Sequence, residues 1–192
     1  SAATGRRDQD TALVNGRSVA LDTDEGMDAF VGSLGGLTAA TKTKIKAFLK
    51  EIGADGMDEL AQFIRILHGA EIGKSVIKRV IFSGHSGGWS IWGDDNGSMD
   101  FEQMAKLAVI FPVATGQVED LMLSACNSSQ VSKLDQYTAI FPNLKSVWGY
   151  VGYSPSAWTG ALEHIEEWTD VSDGPMDPAK MQGGRKKIAA GT

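Results

Sequence analysis

Two short apolar runs separated by a helical stretch restrict this chain to one kind of architecture. The first reads Arg79-Val80-Ile81-Phe82-Ser83-Gly84, and the second Val118-Glu119-Asp120-Leu121-Met122-Leu123-Ser124-Ala125. Runs of this length that break off into Gly or Ser read as buried strands of a parallel sheet. Between them, Asp100 to Phe111 has helical spacing, with Asp100 and Gln103 placed as a capping box and Pro112 as a stop. A strand, helix, strand unit makes the two strands parallel neighbours, with both carboxyl ends on one edge. The first run delivers His85 to that edge and the second delivers Cys126, the only cysteine. The fold class is therefore read as α/β, a three-layer domain with a small, mainly parallel sheet flanked by helices.

The rest of the chain arranges itself around that unit. Residues 1–25 read as an N-terminal extension, with Asn15-Gly16 between apolar stretches as a hairpin signal. Helices are predicted over 26–34, 38–52 and from a cap at Asp55 or Asp58 to His68. Residues 86–97 read as a loop. A helix over 132–141, a strand over 144–150 and an amphipathic helix over 156–168 follow. The folded domain spans 26–170, and 171–192 reads as a polar tail ending in GGRKKIAAGT. A chain of 192 residues, 42% hydrophobic, is one domain able to bury about 70% of its unfolded surface.

Composition removes several classes of function. Eighteen basic against 24 acidic residues, net −6, do not supply the basic surface of a general nucleic-acid binder. No apolar run approaches the roughly 20 residues of a membrane span, and no signal peptide is visible at the start. A single cysteine cannot form an internal disulfide and suits a reducing compartment, so the cytoplasm or an exported effector is expected.

A lone cysteine is more often an inert core residue than a nucleophile. Here it is paired by topology with a histidine, and a thiol next to a base is the pattern of nucleophilic catalysis. The blocks Phe82-Ser83-Gly84-His85 and Ser124-Ala125-Cys126 resemble those of the caspase-like cysteine peptidases, which include metacaspases, legumain, clostripain, gingipain and self-cleaving bacterial toxin domains. The likeness covers about fifty residues, plus a strand and aromatic loop at 145–158. It implies the caspase-like version of the three-layer fold and an endopeptidase acting through an acyl-enzyme. By resemblance, Cys126 attacks the scissile carbonyl and His85 protonates the leaving amine. The N–H of Cys126 and one just after His85, on Ser86 or Gly87, would form the oxyanion hole. Ser124 stands where several relatives carry an acidic or amide specificity residue, so no substrate preference carries over. Tyr153, Ser154 and Trp158 are candidate pocket walls. The implied partner is a protein or peptide substrate, and the implied state is a monomer; Arg185-Lys186-Lys187 reads as a solvated tail, with a self-processing site as the functional alternative.

Rival readings exist. Gly84-His85-Ser86-Gly87-Gly88 also spells G-x-S-x-G, the nucleophile elbow of serine α/β-hydrolases, with Ser86 as the attacking residue. That elbow must feed a helix, whereas a loop follows here, and only His164 remains downstream, inside a predicted helix. A caspase-like scaffold that binds without cutting is a third reading, one that has no need of both His85 and Cys126. No cofactor is expected. Calcium activates some metacaspases, but Asp94-Asp95-Asn96-Gly97-Ser98 lacks the sixth-position Gly and twelfth-position Glu of a calcium loop. Zinc would need more His and Cys than the chain has. His68 is expected to meet the terminal carbonyls of its own helix, and His164 to be a surface or interface residue.

Overall fold

A computed structural model describes residues 10–53, 56–88, 90–92, 98–128, 134–155 and 160–173, with the side chains of 92, 134 and 171 left out. The chain opens with the hairpin β1 (Thr11–Val14) and β2 (Arg17–Ala20). Asn15 and Gly16 both take positive φ, 50° and 78°, as a two-residue turn between twisted strands requires. The hairpin is joined to the body: Ala12 and Leu21 are buried in the same core as the helices that follow.

Helix α1 (Asp24–Ser33) is capped by Thr23, whose hydroxyl accepts the Gly26 N–H at 3.0 Å. Gly26 is there because the hairpin presses on it: a Cβ would fall 1.9 Å from the Ala20 carbonyl oxygen. Gly to Ala inside a helix ordinarily stabilises by about 1 kcal/mol. At Gly26 the clash reverses the sign, and Gly26→Ala is expected to cost about 1–3 kcal/mol. Gly32→Ala, in the same helix with nothing within 4 Å, is expected to stabilise. Urea melts of the two variants check the contrast.

Helix α2 (Ala39–Ile52) starts at the Thr38 cap, ends at Gly53 (φ 77°) and buries Ile45, Phe48 and Leu49. Helix α3 (Met57–Glu71) starts differently from the expected local cap. Asp58 lies within its first turn, Asp55 is outside the described residues, and the Met57 N–H is taken by the Asp10 carboxylate at 3.0 Å. A cap supplied from 47 positions away is a tertiary contact with no local signal.

This junction is sensitive to pH. Burial, then a hydrogen bond with Asp58 and the charges of Asp58 and Asp10, push the Glu59 carboxyl up from 4.5 to about 7. Between those values the folded chain holds a proton that the unfolded chain releases, so this contribution to stability falls as pH rises from 4.5 to about 7. Glu59→Gln is therefore expected to gain stability relative to wild type as pH rises through that window. Urea midpoints of the two proteins across the window measure it.

The first sheet strand, β3 (Arg79–Ser83), follows. The segment expected as a loop contains β4 (Ser90–Trp92), paired antiparallel with β5 (Ser98–Asp100). Asp100 then caps α4 (Phe101–Ile110): its carboxylate accepts the Gln103 N–H and the Gln103 side chain accepts the Asp100 N–H, each at 2.9 Å. Pro112 ends that helix by opening another, α5 (Pro112–Gly116), since a first-turn proline forfeits no helical bond. Then come β6 (Asp120–Ser124), α6 (Leu134–Ile140), β7 (Ser146–Trp148) and α7 (Ala161–Asp173).

Strands β3, β6 and β7 form one parallel sheet in that order, with Ser83 opposite Ser124 and Met122 opposite Trp148. The central strand is buried at every residue, and alternation sorts its side chains into two layers. Leu121 and Leu123 point with Val80 and Val147 into the main core, against Ile64, Leu107 and Ile140 of the helices. Met122 points the other way, to Trp148, Tyr150 and Trp168 under α7. The result is a mixed α/β protein with a small parallel sheet between helical layers. Helix α7 runs five residues past its expected end at Trp168, and Arg79 is ion-paired with Asp173 there. Among the described residues no helix is long and apolar enough to cross a membrane, and no group of three or more His, Cys, Asp or Glu could hold a metal ion.

Candidate functional site

The Gly84 N–H donates to the Ser124 carbonyl at 3.2 Å, closing the last register pair of β3 and β6, Ser83 with Ser124. His85 and Cys126 each lie two residues beyond the opposed pair Ser83 and Ser124. They therefore follow adjacent strand ends on the same edge of the sheet. His85 is exposed and Cys126 half-buried, so the edge is open to solvent on the histidine side.

The sulfur is held in a defined frame. Asn127 takes φ 54°, turning the chain sharply after Cys126, and its N–H donates to the Gly152 carbonyl at 2.8 Å. Asn is among the few residues that tolerate this region, which makes the cysteine the last residue before an enforced turn. The buried Ser128 hydroxyl donates to the Ala125 carbonyl at 2.6 Å, with that of Leu123 at 3.1 Å, and accepts the Tyr150 N–H at 3.2 Å. The Tyr137 hydroxyl donates to the Ser128 carbonyl at 3.2 Å, and burial raises this phenol far above its ordinary value, so it stays a donor. The Ser154 N–H points at the Cys126 Sγ at 3.3 Å.

The sequence-predicted residues divide accordingly. His85, Ser86 and Gly87 occupy the turn after β3, and Cys126 the turn after β6. Ser154, expected as a pocket wall, meets the sulfur through its backbone amide. Ser124 is buried, with its carbonyl engaged by Gly84. Tyr153 stands 94% exposed. Trp158, the calcium-like stretch Asp94 to Gly97 and the basic run 185–187 lie outside the described residues. Two apolar grooves flank α4, one of about 630 Å³ against α6 and one of about 440 Å³ against α2.

Two histidine expectations are corrected. His68 reaches the Gly35 carbonyl at 2.7 Å rather than its own helix end, because α3 packs it inward. His164 is buried rather than at the surface: its Nδ1 meets the Tyr150 hydroxyl at 2.5 Å, and its ring stacks on Tyr150 at 5.5 Å. The second fact bears on the serine reading. Ser86 is buried, and its hydroxyl accepts the Gly88 N–H at 2.9 Å. The segment after it runs into a strand, not the helix that a nucleophile elbow feeds. His164, the one histidine downstream, has its ring packed between Tyr150 and Trp148.

Ser128 and Tyr137 were not legible as site residues. Ser128 follows the cysteine by two positions in Asn127-Ser128-Ser129, a polar run that reads as generic turn. No family model, curated protein or solved structure matches the chain.

Proposed function

We propose that the protein is a cysteine endopeptidase of caspase-like arrangement in which Cys126 is the nucleophile and His85 its acid–base partner. One observation supports this reading: the parallel register of β3 and β6 brings the turns that bear exposed His85 and half-buried Cys126 to the same edge of the sheet. The amide donated to the sulfur is consistent with it.

In the proposed reaction His85 takes the Cys126 thiol proton, the sulfur adds to the scissile carbonyl carbon, and the carbonyl oxygen takes up the negative charge. The N–H of Cys126 and that of Ser86 or Gly87 stabilise this oxyanion. Collapse breaks the C–N bond as His85 transfers a proton to the departing amine, leaving a thioester on Cys126. Water then attacks the thioester, with His85 removing its proton, and the acid product and free thiol are released. The exposed position of His85 suits a residue that must hand a proton to a leaving group and take one from water. Substrates are proteins or peptides bound in extended form across the edge, the chain's own basic tail among them.

The test is a peptide-library digest read by mass spectrometry. Cleavage at a consistent residue class, with a peptide electrophile bonded to Cys126, is the expected result. An uncut library together with an unlabelled Cys126 would overturn the proposal.

A further inference from the structure

The turn carrying Cys126 is fastened to the loop after β7 at three points: Asn127 N–H to Gly152 carbonyl, Tyr150 N–H to Ser128 hydroxyl, and Ser154 N–H to Cys126 Sγ. The Ser128 hydroxyl joins both sides, donating to the strand end before the cysteine while accepting from the loop. The loop is anchored from its other side as well, where Tyr150 is hydrogen-bonded to and stacked on His164 of α7. At its far end stands Pro155, which has no amide to donate and biases Ser154 toward extended backbone. Ser154 therefore provides the last backbone donor before the proline, and that donor faces the sulfur. Its side chain is not involved, since the hydroxyl donates to the Pro155 carbonyl at 3.3 Å.

We infer that the Ser154 backbone N–H is a catalytic group that holds negative charge on the Cys126 sulfur, and that Ser128 and Tyr150 are positioning residues that keep it there. The inference rests on the peptidase reading for its biological use, but the contact itself can be measured without turnover. A hydrogen bond to an ionised acceptor is roughly twice as strong as one between neutral groups, so this contact strengthens when the sulfur carries charge during the reaction. It also leaves the N–H groups of Cys126 and the His85 turn for the oxyanion, separating stabilisation of the nucleophile from stabilisation of the intermediate.

The experiment compares full-length wild type, Ser154→Ala, Ser154→Pro, Ser128→Ala, and a chain in which an ester replaces the Tyr153–Ser154 amide. The rate at which iodoacetamide alkylates Cys126, the sulfur displacing iodide, is read at neutral pH. Thermal melts establish that each chain is folded. The ester and proline variants lose the N–H and are expected to react about tenfold or more slowly. Ser154→Ala keeps the amide and loses only the hydroxyl, and a slowing as large as that of the ester chain would overturn the assignment to the N–H. Ser128→Ala is expected to slow alkylation about three- to tenfold and to lower kcat with KM unchanged.

A folded ester or proline chain with the wild-type rate overturns the donor role, and an unchanged rate in folded Ser128→Ala overturns the positioning role. The two readings separate cleanly. If wild type cleaves peptides and the ester chain cleaves them with the same kcat, the Ser154 assignment falls and the peptidase stands. If no peptide is cut while the ester still slows alkylation, the peptidase falls and the donor stands.

Discussion

Replacing Cys126 by alanine is expected to abolish both peptide cleavage and uptake of a thiol reagent, while His85→Ala lowers kcat/KM about a hundred- to ten-thousandfold. Under the proposed mechanism the two effects differ because the two residues have different roles. Without the sulfur no acyl-enzyme forms, and no other thiol exists in the chain to replace it. Without the imidazole the sulfur remains, in its turn between Ser128 and Ser154, and added imidazole is expected to restore part of the rate because His85 is exposed. Ser86→Ala supplies the internal contrast. Its hydroxyl serves the turn by accepting from Gly88, so the variant should keep most of the activity. Steady-state kinetics on one cleavable peptide measure all three, and loss of turnover in Ser86→Ala with retention in Cys126→Ala would transfer the role of nucleophile to the serine.

The second large effect is on stability. Leu121→Ala is expected to cost about 2–5 kcal/mol, the range for emptying a fully buried leucine site. Leu121 is wholly buried on the central strand, and its side chain faces the helical core. Ile81→Ala, on the neighbouring strand with Ile81 43% exposed, is expected to cost under about 1 kcal/mol. Ile81 lies opposite Met122 in the register, on the face where α7 packs over Met122 and Trp148 and leaves the edge strand open. Urea midpoints of the two variants read this directly. Equal costs would mean that β3 is shifted by a residue, which would also exchange the faces from which His85 departs.

The scaffold of this edge could be read from residues because its signals are local. Asn15-Gly16 and the Asp100–Gln103 capping box each act within a few positions, and each is found where it was expected. The parallel relation of β3 and β6 follows from chirality once the helix between them is recognised. What could not be read is tertiary. The cap of α3 comes from Asp10, and His164 is buried because Tyr150 offers it a hydroxyl under α7. The short pair β4 and β5 hides in a Gly- and Asp-rich stretch whose periodicity is too brief to register. At the site itself, the histidine and cysteine are visible as strand ends, but the frame around the sulfur is not. Ser128, Asn127 and the Ser154 amide act through backbone groups and one hydroxyl, and such contacts leave no imprint on residue type beyond a polar turn.

The central claim, that β3 and β6 deliver residues 85 and 126 side by side, is tested most directly by His85→Cys under mild oxidation. Backbones of neighbouring parallel strands stand about 4.8 Å apart, inside the roughly 4.4–6.8 Å that a disulfide spans between Cα atoms. A reducible bond linking the peptide around residue 85 to that around Cys126, with neither thiol open to alkylation, is the predicted result. Two free thiols, both alkylated in the folded and oxidised protein, would contradict it.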